Sequence, residues 1–296
     1  AAAAARVEDA GLGDKVRTAA GGALVRVADA LVGGKAERTT LAAMLASKQA
    51  SVRRAAYALV LKLCGVMGDA NEAEAGGSGV DALVDLVQPE RSAKAIFGAL
   101  GDTEPTAQNE LWAMLLMYIK RFPAAWGALD ARKAVLPRLR RSVLSAAGDA
   151  TGLACAAIAP CLLPLLALTP PEVAANVGLA DALVEVAMDA ALQARGAKQR
   201  LALLKGAGEV AAYCAAHAET KFASSAAEAD TLTQDVLIDR FTSGCMALLG
   251  EGEGSRAPGG ARPAAQAIAH ALCSLAASRA SRAAAALAAA AQAVVA

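Results

Sequence analysis

Apolar residues recur three or four positions apart along the whole chain, and glycine, proline and short polar clusters interrupt them. That spacing predicts helices over about 12–32, 38–47, 50–67, 79–88, 90–100, 105–121, 131–147, 151–167, 171–194, 197–217, 224–249 and 262–295. No run alternates apolar and polar positions long enough to predict a strand. The breaks are brief: Gly33-Gly34, Gly76-Gly77-Ser78-Gly79, Gly101-Asp102, Phe122-Pro123, Gly148-Asp149 and Thr169-Pro170-Pro171. Two of them read as helix starts. Pro105, three residues after Asp102, and Pro171, before Glu172, each suit a first turn, where the missing N–H has no helical partner to lose.

The helices carry an internal echo. Val16-Arg17 and Val52-Arg53 stand 36 residues apart, and each is followed by Ala-Ala and then Ala-Leu-Val. Stacked helix pairs need this pattern. Val and Leu fill the space between pairs, Ala lets helices approach closely, and Arg lies at the edge with its head in water. The expected fold is therefore all-α, a HEAT/armadillo-like α-solenoid of antiparallel helix pairs. The array is expected over 1–250, followed by a flexible linker, EGEGSRAPGGARP, over 251–263, and an Ala-rich low-complexity helix over 264–296. Between Lys62 and Arg91 the charged residues are all acidic, and the GGSG within reads as a surface excursion.

Composition narrows the class without naming a chemistry. More than a quarter of the chain is alanine, and aromatics are only 3 %. At 56 % hydrophobic residues and a net charge of +1, the chain is too apolar and too neutral for global disorder or for general nucleic-acid binding. Six Cys are too few for a disulfide scaffold, and their apolar settings read as small buried hydrophobes in a reducing cytosol. No basic-then-apolar leader pattern opens the sequence. The uncharged stretch between Asp149 and Glu172 approaches membrane-spanning length, but Pro160, Pro164 and its many small residues favour a helix buried within the array.

No catalytic constellation is found. The two His, His217 and His270, each stand three residues from a Cys (Cys214, Cys273), a spacing that puts both on one helix face. Core-filling Cys with flanking His explains these pairs better than zinc does. No P-loop, dinucleotide fingerprint or HExxH pattern occurs. The suggestive chemistry is basic. Lys120, Arg121, Arg132, Lys133, Arg138, Arg140 and Arg141 face one acid, Asp130, within a short segment. Arg132, Lys133, Arg138, Arg140 and Arg141 are the candidate ribosome or RNA contacts, the alternative being a solvated face, and Arg138 and Arg141 share a helix face.

The least generic sequence runs from Ala99 to Val173. It holds Ala99-Leu100-Gly101 with Pro105, then Trp112, then Lys120-Arg121-Phe122-Pro123 with Trp126. It continues with Lys133-Ala134-Val135-Leu136-Pro137-Arg138-Leu139, Pro160 with Leu162-Leu163-Pro164, and Leu168 with Pro170-Pro171-Glu172. This block resembles the N-terminal HEAT-repeat region of the listerin family, RING-type E3 ubiquitin ligases of ribosome-associated quality control. The resemblance implies a monomeric cytosolic scaffold, with no membrane association, that docks on the large ribosomal subunit and works with quality-control cofactors. It also implies a zinc-binding RING in the parent protein that recruits a ubiquitin-conjugating enzyme and promotes transfer to a stalled nascent chain. This chain contains no Cys/His array of RING spacing, so no cofactor and no catalytic residue are expected in it. The competing expectation is a general HEAT-repeat adaptor for a protein partner, without ligase activity. The two Trp themselves are expected to be packing residues.

Overall fold

The computed structural model describes residues 41–69, 86–128, 134–216 and 241. Among them the chain is helical throughout its regular structure, with no strand. The chain divides into two compact units, Ala1–Ala128 and Leu129–Ala296. The first copy of the echo, the linker at 251–263 and the Ala-rich helix at 264–296 lie outside the described residues, as do the helix expected at 12–32 and all but residue 241 of the one expected at 224–249.

In the first unit, residues 41–45 are helical and lead into α1 (Ala50–Asp69). Then come α2 (Pro89–Gly98), α3 (Gln108–Arg121) and the short α4 (Pro123–Gly127). Residues 86–87 form a turn, so the helix expected at 79–88 does not extend through them. The start expected at Pro105 is a 3₁₀ turn, Pro105–Ala107, and α-geometry begins only at Gln108. Periodicity explains the packing. Ala56, Tyr57, Val60, Leu63 and Cys64 form one stripe on α1, and Leu111, Trp112, Met114, Leu115, Tyr118 and Ile119 form another on α3. The two helices pack together along these stripes.

Phe122-Pro123 ends α3, as the sequence suggests, and Pro123 opens a helix that periodicity does not reveal because it is barely one turn long. That turn buries Trp126 against Phe97, with ring centroids 5.2 Å apart. Phe97 meets Tyr118 edge-on at 5.4 Å, and Tyr118 meets Phe122 at 5.0 Å. Phe97, Tyr118, Phe122 and Trp126 thus form one continuous ring cluster.

The second unit contains α5 (Leu136–Gly148), α6 (Leu153–Ile158), α7 (Leu162–Leu168), α8 (Pro171–Val177), α9 (Leu179–Gln193) and α10 (Ala197–Ala216). Two long helices expected from the sequence are broken. The segment 151–167 is split by a 3₁₀ turn at Ala159–Cys161, where Pro160 cannot donate to the α-helical ladder. The segment 171–194 is split at Gly178, whose φ of 64° is left-handed and closes α8 before α9 begins. Among the described residues no helix is long and apolar enough to cross a membrane.

The core of this unit is built on α9. Its Leu179, Leu183, Val184, Val186, Ala187 and Met188 are buried, and the remaining narrow stripe carries Asp181, Glu185 and Asp189. It packs against α5 on one side and α10 on another. The close approach of α10 to the Ala159–Cys161 turn depends on Gly206. A Cβ built there would lie 2.7 Å from the Ala159 carbonyl oxygen. Nearby, Gln199 links two turns: its amide donates to the Asp149 carbonyl, and its Oε1 accepts the Gly196 N–H at 2.9 Å.

Candidate functional site

Two places merit chemical scrutiny, one in each unit. In the first unit an open cleft of about 490 Å³ is walled mostly by small residues, among them Ala42, Ala46, Ala95 and Gly98. Its polar residues are Ser47, Arg53, Tyr57, Asp102 and Thr103, of which Arg53, Tyr57 and Asp102 form one network. Arg53 grips Asp102 side-on, Nε to Oδ2 at 2.6 Å and Nη2 to Oδ1 at 2.9 Å. Its Nη1 donates to the carbonyls of Ser47 at 2.8 Å and Lys48 at 3.2 Å, just past the helical turns at 41–45. The Tyr57 hydroxyl donates to Oδ2 at 2.8 Å, and the Glu104 N–H donates to Oδ1 at 2.9 Å.

Each Asp102 oxygen therefore receives two donors. The network extends outward through Gln108, whose amide donates to the carbonyls of Asp102 at 2.8 Å and Glu104 at 3.2 Å. Its Oε1 accepts the Trp112 indole N–H at 3.2 Å, so a buried Trp is tied to the same corner. The Arg53 head lies among these groups at 16 % exposure, not in water as the edge position suggested. It is drawn inward because the turn before α1 offers it two carbonyls and the turn before α3 an anion.

The electrostatics follow from this geometry. Burial alone would raise the Asp102 carboxyl, but hydrogen bonds from Arg53, the Glu104 N–H and Tyr57 outweigh it and hold the group below the usual carboxylate range. Burial and the adjacent Asp102 push the Tyr57 phenol well above its ordinary value. The floor is a matched ion pair with a neutral phenol. It fixes the shape of the cleft and offers neither a general base near neutrality nor a nucleophile.

The second place is the basic segment. Of the five candidate contacts, Arg132 and Lys133 lie outside the described residues. Arg138, Arg140 and Arg141 all stand on α5, held there by the buried stripe Leu139, Ser142, Val143, Ala146 and Ala147. Arg138 is half-buried and donates to the Ala134 carbonyl at 3.1 Å. Arg140 leans onto the acidic stripe of α9, meeting Asp189 at 2.8 Å and Glu185 at 3.3 Å. Arg141 is exposed. Lys120 and Arg121 close α3 and belong to the first unit.

Among the described residues no group of His, Cys, Asp and Glu could hold a metal ion. Cys214 is buried on α10, and burial pushes its thiol up to about 12; His217, His270 and Cys273 lie outside the described residues. Sequence reasoning missed the Arg53–Asp102–Tyr57 corner. Arg53 stood out through the echo and Asp102 as a helix start, but nothing local joins residues 49 positions apart. Comparison with known proteins adds no relative: no family model, curated protein or solved structure matches the chain.

Proposed function

We propose that the chain is the N-terminal scaffold and ribosome-docking segment of a listerin-like E3 ubiquitin ligase, built as a HEAT-type helical array. The observation that supports this reading most is how the Ala99–Val173 block divides its residues. The signature residues Trp112 and Trp126 are buried, while Arg138 and Arg141 of the same block stay at or near the surface. A docking segment needs guanidiniums left available to phosphate. Ubiquitin transfer would belong to a RING elsewhere in the parent protein, where zinc would be held. This chain would supply position, not chemistry. The test is co-sedimentation of the folded chain with purified large ribosomal subunits. Binding at moderate salt is expected, and its absence overturns the reading.

The cleft in the first unit favours a second reading, a HEAT-repeat adaptor for a protein partner. Its small-residue walls would admit an apolar side chain from a bound segment. Capture of a peptide partner that substitution of Ala95 by Trp abolishes, with no binding to ribosomal subunits, would decide for the adaptor.

A further inference from the structure

The three arginines of α5 are chemically alike in sequence but not in the structure. An α-helix turns about 100° per residue, so Arg138 and Arg141 lie about 60° apart, while Arg140 lies about 100° from Arg141 and further still from Arg138. The packing uses that difference. Arg140 falls on the side facing α9 and is occupied by two carboxylates, Asp189 at 2.8 Å and Glu185 at 3.3 Å. Its positive charge is cancelled locally. Arg138 spends one donor on the Ala134 carbonyl, and a backbone carbonyl does not neutralise it. Arg141 projects from the exposed face, and the next exposed positions along α5, Ser145 and Gly148, are small.

Among the described residues the neighbouring acids have partners of their own. Glu185 and Asp189 meet Arg140, and Asp149, just past α5, accepts from the N–H groups of Thr151 at 2.9 Å and Ala154 at 3.1 Å. Among the described residues neither Arg138 nor Arg141 is paired with a carboxylate. Planar guanidinium forks on a smooth helix face suit phosphate oxygens, which they meet bidentately.

We infer that Arg138 and Arg141 form the phosphate-contacting face of the second unit, for the backbone of structured RNA, and that Arg140 is excluded from it by its pairing with α9. This assignment rests on the docking reading and sharpens it to two residues. The experiment measures binding of the full chain to purified large ribosomal subunits, and separately to a naked structured RNA, over a range of salt concentrations. R141Q and R138Q are each expected to reduce the salt slope by about one, as loss of one phosphate contact does. R140Q is expected to leave the slope unchanged. E185Q/D189Q, which releases Arg140 from its carboxylates, is expected to steepen it.

A slope unchanged by R141Q, or reduced equally by R140Q, overturns the assignment while leaving docking intact. So does binding to a polyglutamate peptide in place of the RNA. Failure of the unaltered chain to bind either subunits or RNA overturns the docking reading and this assignment with it. Circular dichroism of each variant confirms that the helices persist, so that a lost slope reports a lost contact.

Discussion

Arg53 and Asp102 meet through two parallel hydrogen bonds, at 2.6 and 2.9 Å, although 49 residues separate them in the chain. The pair is the polar fastening between α1 and the turn that leads into α3. Because both groups are largely withdrawn from water, removing one strands the other. D102A is expected to destabilise the protein by about 3 kcal/mol, read as a lowered urea midpoint at unchanged slope. R54A, which removes an exposed pairing with Glu110, is expected to cost less than about 1 kcal/mol.

The same corner sets an acid dependence. The Asp102 carboxyl is held below its unfolded value, so its contribution is fully present above the unfolded pKa of about 4. It is lost as pH falls through the lower folded value. Thermal scans from pH 7 down to pH 2 are expected to show the melting temperature dropping below about pH 4. D102N is expected to be less stable at neutral pH and to show a shallower decline, because its side chain cannot be protonated in that range.

Glycine-to-alanine changes separate two kinds of site. At Gly206 an added Cβ would press on the Ala159 carbonyl at 2.7 Å and the Leu162 side chain at 3.1 Å. G206A is expected to cost about 1–3 kcal/mol, more than its gain in helix propensity returns. At Gly98, in α2 with φ −61°, an added Cβ meets nothing within 4 Å. G98A is expected to be neutral or to stabilise by up to about 1 kcal/mol. Calorimetry of the two variants gives opposite signs if the packing is as described.

The cysteines should be slow to react. Burial pushes the thiols of Cys64, Cys155 and Cys161 up to about 11 and that of Cys214 to about 12. At pH 7.5 almost no thiolate forms at these sites. Alkylation mapped by mass spectrometry is expected to label all four slowly in the native protein and rapidly in denaturant.

Trp126 is expected to be as important as its burial implies. It is fully buried and packs against Phe97. W126A is expected to cost about 3–5 kcal/mol, visible as a shift of the unfolding midpoint, since the truncation leaves a large cavity in a packed core.

Helix type and most helix positions were legible in the sequence because burial stripes repeat at a fixed spacing, as on α1 and α3. The errors cluster where one residue changes the backbone locally. Gly178 splits α8 from α9 at a site that apolar periodicity passes over, and Pro160 turns a continuous apolar run into three pieces. Pro105 signals a helix start correctly in kind, but the first turn it opens is 3₁₀. The arginines of α5 could be found by charge, but their inequality could not. The carboxylates that claim Arg140 lie 45 and 49 residues further along the chain. The floor of the cleft escaped for the same reason. Charge pairing over such distances leaves no periodic trace, so only the packing of α1 against α3 reveals it.

The long separation between Arg53 and Asp102 also has a meaning in time. Synthesis delivers α1 before the residues that will cover it, at roughly 5–20 residues per second. The 49 residues between the two partners therefore impose a wait of roughly 2–10 s during which the Tyr57 face of α1 has no α3 to bury it. The aromatic cluster waits less, because Phe97 and Trp126 stand only 29 residues apart. During translation α1 is therefore the element for which a chaperone at the tunnel exit would matter.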